Sequence, residues 1–184
     1  LHGHCEPAIA DAIARQAAKI DQVIFTGFTH EPGVRLVDKI VDMLPDPLDH
    51  VFFSDNGSTA VEVALKMAYQ HFRNSGDEKR RRFVTLAGSY HGDTFGAMAA
   101  SGASVFHDVF RPLLFESITV ADAVELDAAL DAHGDEIAAV IVEPMVQGAG
   151  GMVIWPAEFL RAVRRACDRP VSYTHLRAHE TNSH

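Results

Sequence analysis

Residues 54–64, with the sequence SDNGSTAVEVA, place a glycine beside hydroxyl side chains directly after an apolar run at 51–53. This order predicts a strand, a turn and the start of a helix. The free N–H groups and the dipole of a first helical turn favour a bound anion. Gly57 lets the backbone approach a phosphate closely, and the Ser58 and Thr59 hydroxyls can donate hydrogen bonds to it.

The same segment has an ordinary structural interpretation. Thr59 is followed three residues later by Glu62, a spacing that predicts a capping box at the helix start. Serine caps are common at helix starts, so this segment alone favours a cap without a ligand. Residues further along the chain are needed before an anion site becomes the favoured interpretation.

Three more side chains that could take part in binding or catalysis follow predicted strands. Tyr90 and Asp93 lie in the loop after a strand at 83–86, and Glu143 directly follows an apolar strand at 137–142. In α/β folds, ligands bind at the carboxyl ends of the strands. A tyrosine there can stack on a planar ring, although it can also simply pack with its hydroxyl in water. Glu143 could equally be a helix-capping or ion-pairing group.

The elements that position these residues alternate between helix and strand. Apolar periodicity and Gly and Pro signals predict helices at about 7–20, 34–44, 58–72, 122–133 and 156–168. Strands are predicted at 51–53, 83–86 and 137–142. This alternation predicts an α/β fold with a mostly parallel sheet covered by helices on both faces.

Composition excludes several classes of protein. The 184 residues suffice for one domain with a real core, and the net charge of −9 argues against nucleic acid or an anionic membrane as partner. No segment has the roughly 20 apolar residues of a membrane span. Cys5 and Cys167 form no disulfide framework and indicate a reducing compartment, so we expect a cytoplasmic protein.

The end of the chain departs from the pattern. Residues 170–184 have no apolar periodicity, and they resemble a translated sequencing adaptor, so we expect a non-native tail. His175 and His179 have a spacing that could place two imidazoles on one metal, but no third ligand is evident and no metal site is predicted. The expected organisation is an N-terminal helical segment at 1–44, a partial large domain at 45–169, and the tail.

Together these motifs resemble the class III aminotransferases, which have fold type I and use pyridoxal 5'-phosphate. The resemblance covers residues 1–169. It is carried by four segments: 26–30 (TGFTH), 56–68 (NGSTAVEVALKMA), 90–98 (YHGDTFGAM) and 142–152 (VEPMVQGAGGM). It therefore implies the incomplete large domain of a fold-type I enzyme.

The resemblance also implies roles for individual residues. Gly57 and Ser58 would bind the cofactor phosphate, and Tyr90 would lie over the pyridine ring and meet the substrate. Asp93 would lie on the substrate side, and Glu143 would support the ring from below. The Schiff-base lysine and the aspartate that pairs with the ring nitrogen belong to a part of the family pattern that follows the matched region. No catalytic residue is therefore assigned here, and we expect these 184 residues alone not to turn over.

Within the family, the motifs most resemble the subgroup of biotin biosynthesis. Its members are homodimers that move an amino group from S-adenosylmethionine to 8-amino-7-oxononanoate, giving 7,8-diaminononanoate. Two alternatives stay open: another class III enzyme that acts on an ω-amino acid or a diamine, and a non-catalytic module that binds a phosphate ligand.

Overall fold

The computed structural model describes residues 2–46, 48–102 and 107–168, which fall into two compact units. The first unit comprises the described residues up to Phe53, and the second begins at Ser54. Every strand in these ranges lies in the second unit, which therefore contains the sheet.

The first unit contains two helices, α1 (Pro7–Ala17) and α2 (Glu31–Val41). Proline fits the first helical position of α1, because the N–H that it lacks would have no helical partner there. α2 begins three residues before its predicted start, because Nδ1 of His30 accepts the N–H of Gly33 at 2.9 Å and caps the helix. Both helices also end about one turn before their predicted ends.

The predicted strand at 51–53 is wrong, because these residues form no strand and pair with none of the described segments. Phe53 instead stacks on Phe25, with ring centroids 5.3 Å apart. The run also lines an apolar pocket of about 540 Å³ together with Val34 and Val37 of α2. Apolar content alone does not make a strand, which needs a hydrogen-bonded neighbour.

The second unit alternates helices and strands. Its helices are α3 (Gly57–Asn74), α4 (Phe95–Ala99), a short 3-10 helix (Asp108–Leu113), α5 (Ala123–His133) and α6 (Ala157–Cys167). Its strands are β1 (Arg82–Leu86), β2 (Ile118–Val120), β3 (Ile137–Ile141), β4 (Val146–Gln147) and β5 (Val153–Ile154). β2 and the β4–β5 hairpin were not predicted, because strands of two or three residues are too short to show periodicity.

The central sheet has the strand order β2-β1-β3, and both pairings are parallel. Alternate residues of β1 face opposite layers of helices. Val84 and Leu86 belong to a buried cluster with side chains of α5 and α6, whereas Phe83 belongs to a second cluster with α3 and α4. The α/β prediction of a parallel sheet flanked by helices is therefore confirmed.

Within the described part of the chain, every helix is too short or too polar to cross a membrane. In the same ranges, no three His, Cys, Asp or Glu side chains are arranged to hold a metal ion. The two histidines at 175 and 179 lie outside the described residues, as does the whole of the predicted tail.

Candidate active site

The start of α3 is capped by Asn56. Its Oδ1 accepts the N–H of Thr59 at 3.0 Å, and Thr59 Oγ1 accepts the N–H of Asn56 at 3.1 Å. The predicted capping box between Thr59 and Glu62 is therefore wrong, because Thr59 is already the third residue of the helix and not its cap. The Glu62 carboxylate instead accepts N–H groups at the start of α4, from Gly96 at 2.7 Å and Ala97 at 3.2 Å.

Gly57 and Ser58 occupy the first two positions of α3, where N–H groups have no partner inside the helix. No acceptor within the described ranges takes these two N–H groups. The Ser58 hydroxyl accepts the N–H of Asp93 at 3.2 Å, which joins α3 to the loop after β1. Gly92 makes this approach possible: its φ is +129°, and a Cβ at this position would overlap Ser58. The result is an open, positively polarised helix end.

Glu143 is the buried carboxylate of the site, with only 4% of its surface exposed. Its Oε1 accepts the N–H of Tyr90 at 2.7 Å, and its Oε2 accepts the N–H of Gly148 at 3.0 Å. It therefore neither caps a helix nor forms an ion pair within the described ranges. It ties the loop after β1 to the loop after β3, and so fixes where the backbone of Tyr90 lies.

Gln147 forms a second link to the loop after β1, one that the sequence analysis did not predict. It is 2% exposed, and its Nε2 donates to the carbonyl of Ala87 at 3.1 Å. Gly150 approaches the carbonyl of Gly88 so closely that a Cβ there would overlap it. Nothing in the composition of the 142–152 motif distinguishes this buried amide from a surface glutamine.

A buried hydroxyl network shapes the loop that carries Tyr90. The Oγ atoms of Thr85 and Ser89 lie 2.7 Å apart, and Ser89 Oγ also accepts the N–H of Gly102 at 3.0 Å. The N–H of His91 donates to Ser101 Oγ at 2.9 Å. Sequence reasoning missed this network as well, although the density of small polar residues after β1 is a signal for it.

Tyr90 and Asp93 lie next to a third residue that was not predicted, His107. The Tyr90 ring is nearly parallel to the His107 imidazole, with centroids 6.2 Å apart and an interplanar angle of 26°. His107 Nε2 lies 3.5 Å from Asp93 Oδ1, and the Asp93 side chain is 75% exposed. One carboxylate of the site is therefore buried and structural, while the other is open to a ligand.

The four lysines of the chain are all exposed, and each lies in a helix or a turn outside these loops: Lys19, Lys39, Lys66 and Lys79. The described site thus offers N–H groups for an anion, an aromatic face and an open carboxylate. It contains no amine of its own.

Known proteins are similar to this chain in sequence and in fold. The family model of the class III aminotransferases matches residues 1–171. The adenosylmethionine-8-amino-7-oxononanoate aminotransferase of Synechococcus elongatus is 47% identical over 176 residues, which cover 88% of this chain and 41% of that protein. The chain spans 41–42% of the length of the first curated relatives that it matches.

Two solved structures show how closely the backbone agrees. The crystal structure of the Methanocaldococcus jannaschii adenosylmethionine-8-amino-7-oxononanoate aminotransferase has a TM-score of 0.85 at 37% identity, covering 90% of this chain and 39% of that one. An amine transaminase from an uncultivated Pseudomonas species, solved in its PLP-bound form, has a TM-score of 0.83 at 31% identity, covering 91% and 43%. The predicted fold type I is thereby confirmed, and the chain belongs to the class III aminotransferase family.

Proposed function

We propose that the whole protein is a pyridoxal-phosphate-dependent aminotransferase of biotin biosynthesis. It would move an amino group from S-adenosylmethionine to 8-amino-7-oxononanoate. The names of the similar proteins from Synechococcus elongatus and Methanocaldococcus jannaschii support this choice of substrates. The observation that carries the proposal is the set of bonds that joins the start of α3 to Asp93, and Tyr90 through Glu143 to Gly148.

The start of α3 fits the phosphate of this cofactor. Gly57 and Ser58 present N–H groups that no described acceptor takes, at the positive end of a helix of 18 residues. The Ser58 hydroxyl accepts the Asp93 N–H through a lone pair, so its own proton stays available for a phosphate oxygen. An anion at this helix end would therefore be bound by two backbone groups and one side chain.

The loops beyond α3 fit the ring of the cofactor. Tyr90 can present an aromatic face, and its backbone is fixed because buried Glu143 accepts its N–H. Bound pyridoxal phosphate supplies an electron sink that makes the proton on the amine carbon labile. The residues of this chain would hold that ring at a fixed distance from the phosphate site at Gly57 and Ser58.

Asp93 is suited to the amino donor. Amino donors carry a positive charge, and the exposed Asp93 carboxylate offers the opposite charge beside Tyr90. Its backbone is held by Ser58, so the carboxylate stays close to the phosphate site while its side chain can turn toward a ligand.

The proposal includes a homodimer in the cytoplasm. Neither cysteine forms a disulfide, and Cys5 is exposed while Cys167 is buried, which fits a reducing compartment. The helices of the first unit leave apolar side chains exposed, among them Ile9, Ile13 and Leu36, which fits a contact with a second subunit. Sedimentation of the full-length protein as a monomer would contradict the dimer.

Replacing Ser58 by alanine in the full-length protein tests the phosphate site. The change removes one hydrogen bond to a charged group, worth roughly 1.5–3 kcal/mol, so cofactor affinity should fall about tenfold to a hundredfold. Ser75→Ala is the matched control, because Ser75 caps the other end of α3 through its bond to the His71 carbonyl. Titration of pyridoxal phosphate followed by absorbance measures both variants. Equal affinity of Ser58→Ala and wild type would refute the assignment.

The amine transaminase from Pseudomonas supports one alternative, because it is 31% identical to this chain and has a similar backbone fold. The whole protein would then be a class III enzyme that acts on an ω-amino acid or a diamine. A comparison of amino donors separates the two activities, because only the proposed one requires S-adenosylmethionine.

A further inference from the structure

His107 is a buried histidine that has no hydrogen-bond partner among the described residues. It is 6% exposed and directly precedes the 3-10 helix at 108–113. Neither Nδ1 nor Nε2 of its ring makes a hydrogen bond within the described ranges. Buried polar side chains are normally satisfied, so an unsatisfied imidazole beside a candidate site calls for a functional explanation.

The position of the ring suggests its partner. Nε2 lies 3.5 Å from Asp93 Oδ1, which is longer than an ordinary N–H···O bond of about 2.9 Å. The imidazole is held by burial and by the nearly parallel Tyr90 ring, whereas the Asp93 side chain is 75% exposed. A small rotation of Asp93 alone would therefore close the gap. The backbone of Asp93 need not move, since the Ser58 hydroxyl holds its N–H.

We propose that His107 is a positioning residue for Asp93. Its Nε2–H donates to Asp93 Oδ1 and fixes the carboxylate beside Tyr90, in the orientation that receives the cationic group of an amino donor. The imidazole acts through Asp93 and does not itself touch the donor. This inference rests on the proposed function, because it assigns to Asp93 the recognition of the donor.

A double-mutant cycle in the full-length protein tests the coupling. His107→Phe keeps a flat ring beside Tyr90 but removes the hydrogen-bond donor. It should weaken binding of S-adenosylmethionine about fivefold, the effect of losing one hydrogen bond. In an Asp93→Asn background the same change should have no further effect. His107→Gln, which restores an N–H near the position of Nε2, should recover most of the affinity. Calorimetry measures donor binding, and absorbance titration should show unchanged affinity for pyridoxal phosphate in the His107 variants.

His50→Phe is the matched control, because His50 is exposed beside Asp49 in the first unit and should leave donor binding unchanged. An equal loss of affinity on His107→Phe in both backgrounds would show that the ring acts by packing, and would overturn the inference. An affinity that Gln does not restore would do the same.

Nitrogen NMR of the histidine rings tests the contact without any substrate. The Nε2 resonance of His107 should shift in Asp93→Asn relative to wild type, and the resonance of His50 should not. An unchanged His107 resonance would refute the contact even if the His107 variants fail to fold. If wild type fails to bind S-adenosylmethionine while the resonance shifts, the proposed substrate is wrong and the His107–Asp93 contact stands.

Discussion

Replacing Glu143 by glutamine should loosen the loop that carries Tyr90. The carboxylate is 4% exposed and accepts two N–H groups, at 2.7 Å from Tyr90 and 3.0 Å from Gly148. Glutamine has the same shape but only one acceptor oxygen, so one N–H group must face an amide NH2. Two hydrogen bonds to a charged group are worth roughly 3–6 kcal/mol, and the single neutral bond that survives roughly 1 kcal/mol. We therefore expect the free energy of local opening to fall by about 2–5 kcal/mol.

Hydrogen exchange of the Tyr90 and Gly148 amides measures this loss directly, because it reports local opening. A fall of about 2–5 kcal/mol corresponds to exchange that is about 30-fold to 5,000-fold faster. Glu136→Gln is the matched control: Glu136 is exposed, pairs with Arg82 at 3.3 Å, and should leave both amides unaffected. Unchanged exchange in Glu143→Gln would refute the argument that this carboxylate holds the two loops together. So would equal acceleration in the control.

Two further predictions concern the frame around the site. Arg80→Ala should lower the free energy of unfolding by about 2–4 kcal/mol, because Nη1 donates to the carbonyls of Gly134 and Ile137 at 2.6 and 2.9 Å from a side chain that is 11% exposed. Arg81→Ala is its control and should change little, since residue 81 is exposed; exchange of the β1 amides compares the two. Glu158→Gln concerns pH, because hydrogen bonds from Arg165 and Arg161 lower the pKa of Glu158. A lowered pKa stabilises the fold above the ordinary glutamate value of about 4.3, and that stabilisation is lost as the pH falls through the lowered pKa. Thermal unfolding should therefore show a small advantage of wild type over Glu158→Gln at neutral pH that vanishes in acid, and a constant difference would contradict it.

Local signals made part of this architecture predictable. The start of α3 could be placed to within one residue from Gly57 and Ser58, because a turn that leads into a helix depends on residues adjacent in sequence, although its cap, Asn56, was not predicted. β1 and β3 could be placed from their apolar runs, since both strands are buried in a parallel sheet. The strand predicted at 51–53 failed because strand pairing depends on a neighbour that composition does not reveal.

The contacts that organise the site were less predictable, because they join residues far apart in the chain. Glu143 accepts the N–H of Tyr90 across 53 positions, and the sequence indicates only that both follow strands. Glu62 was interpreted as the partner of Thr59, three residues away, yet it accepts N–H groups at the start of α4. His107 follows no motif, and only the packing brings it beside Asp93.

The central claim is tested most directly by measuring which amino donor the full-length protein uses when it is saturated with pyridoxal phosphate. We expect it to form 7,8-diaminononanoate from 8-amino-7-oxononanoate with S-adenosylmethionine as donor, and to be far less active with 4-aminobutyrate or ornithine. Activity with 4-aminobutyrate or ornithine and none with S-adenosylmethionine would contradict the proposed substrates, while leaving membership of the family intact.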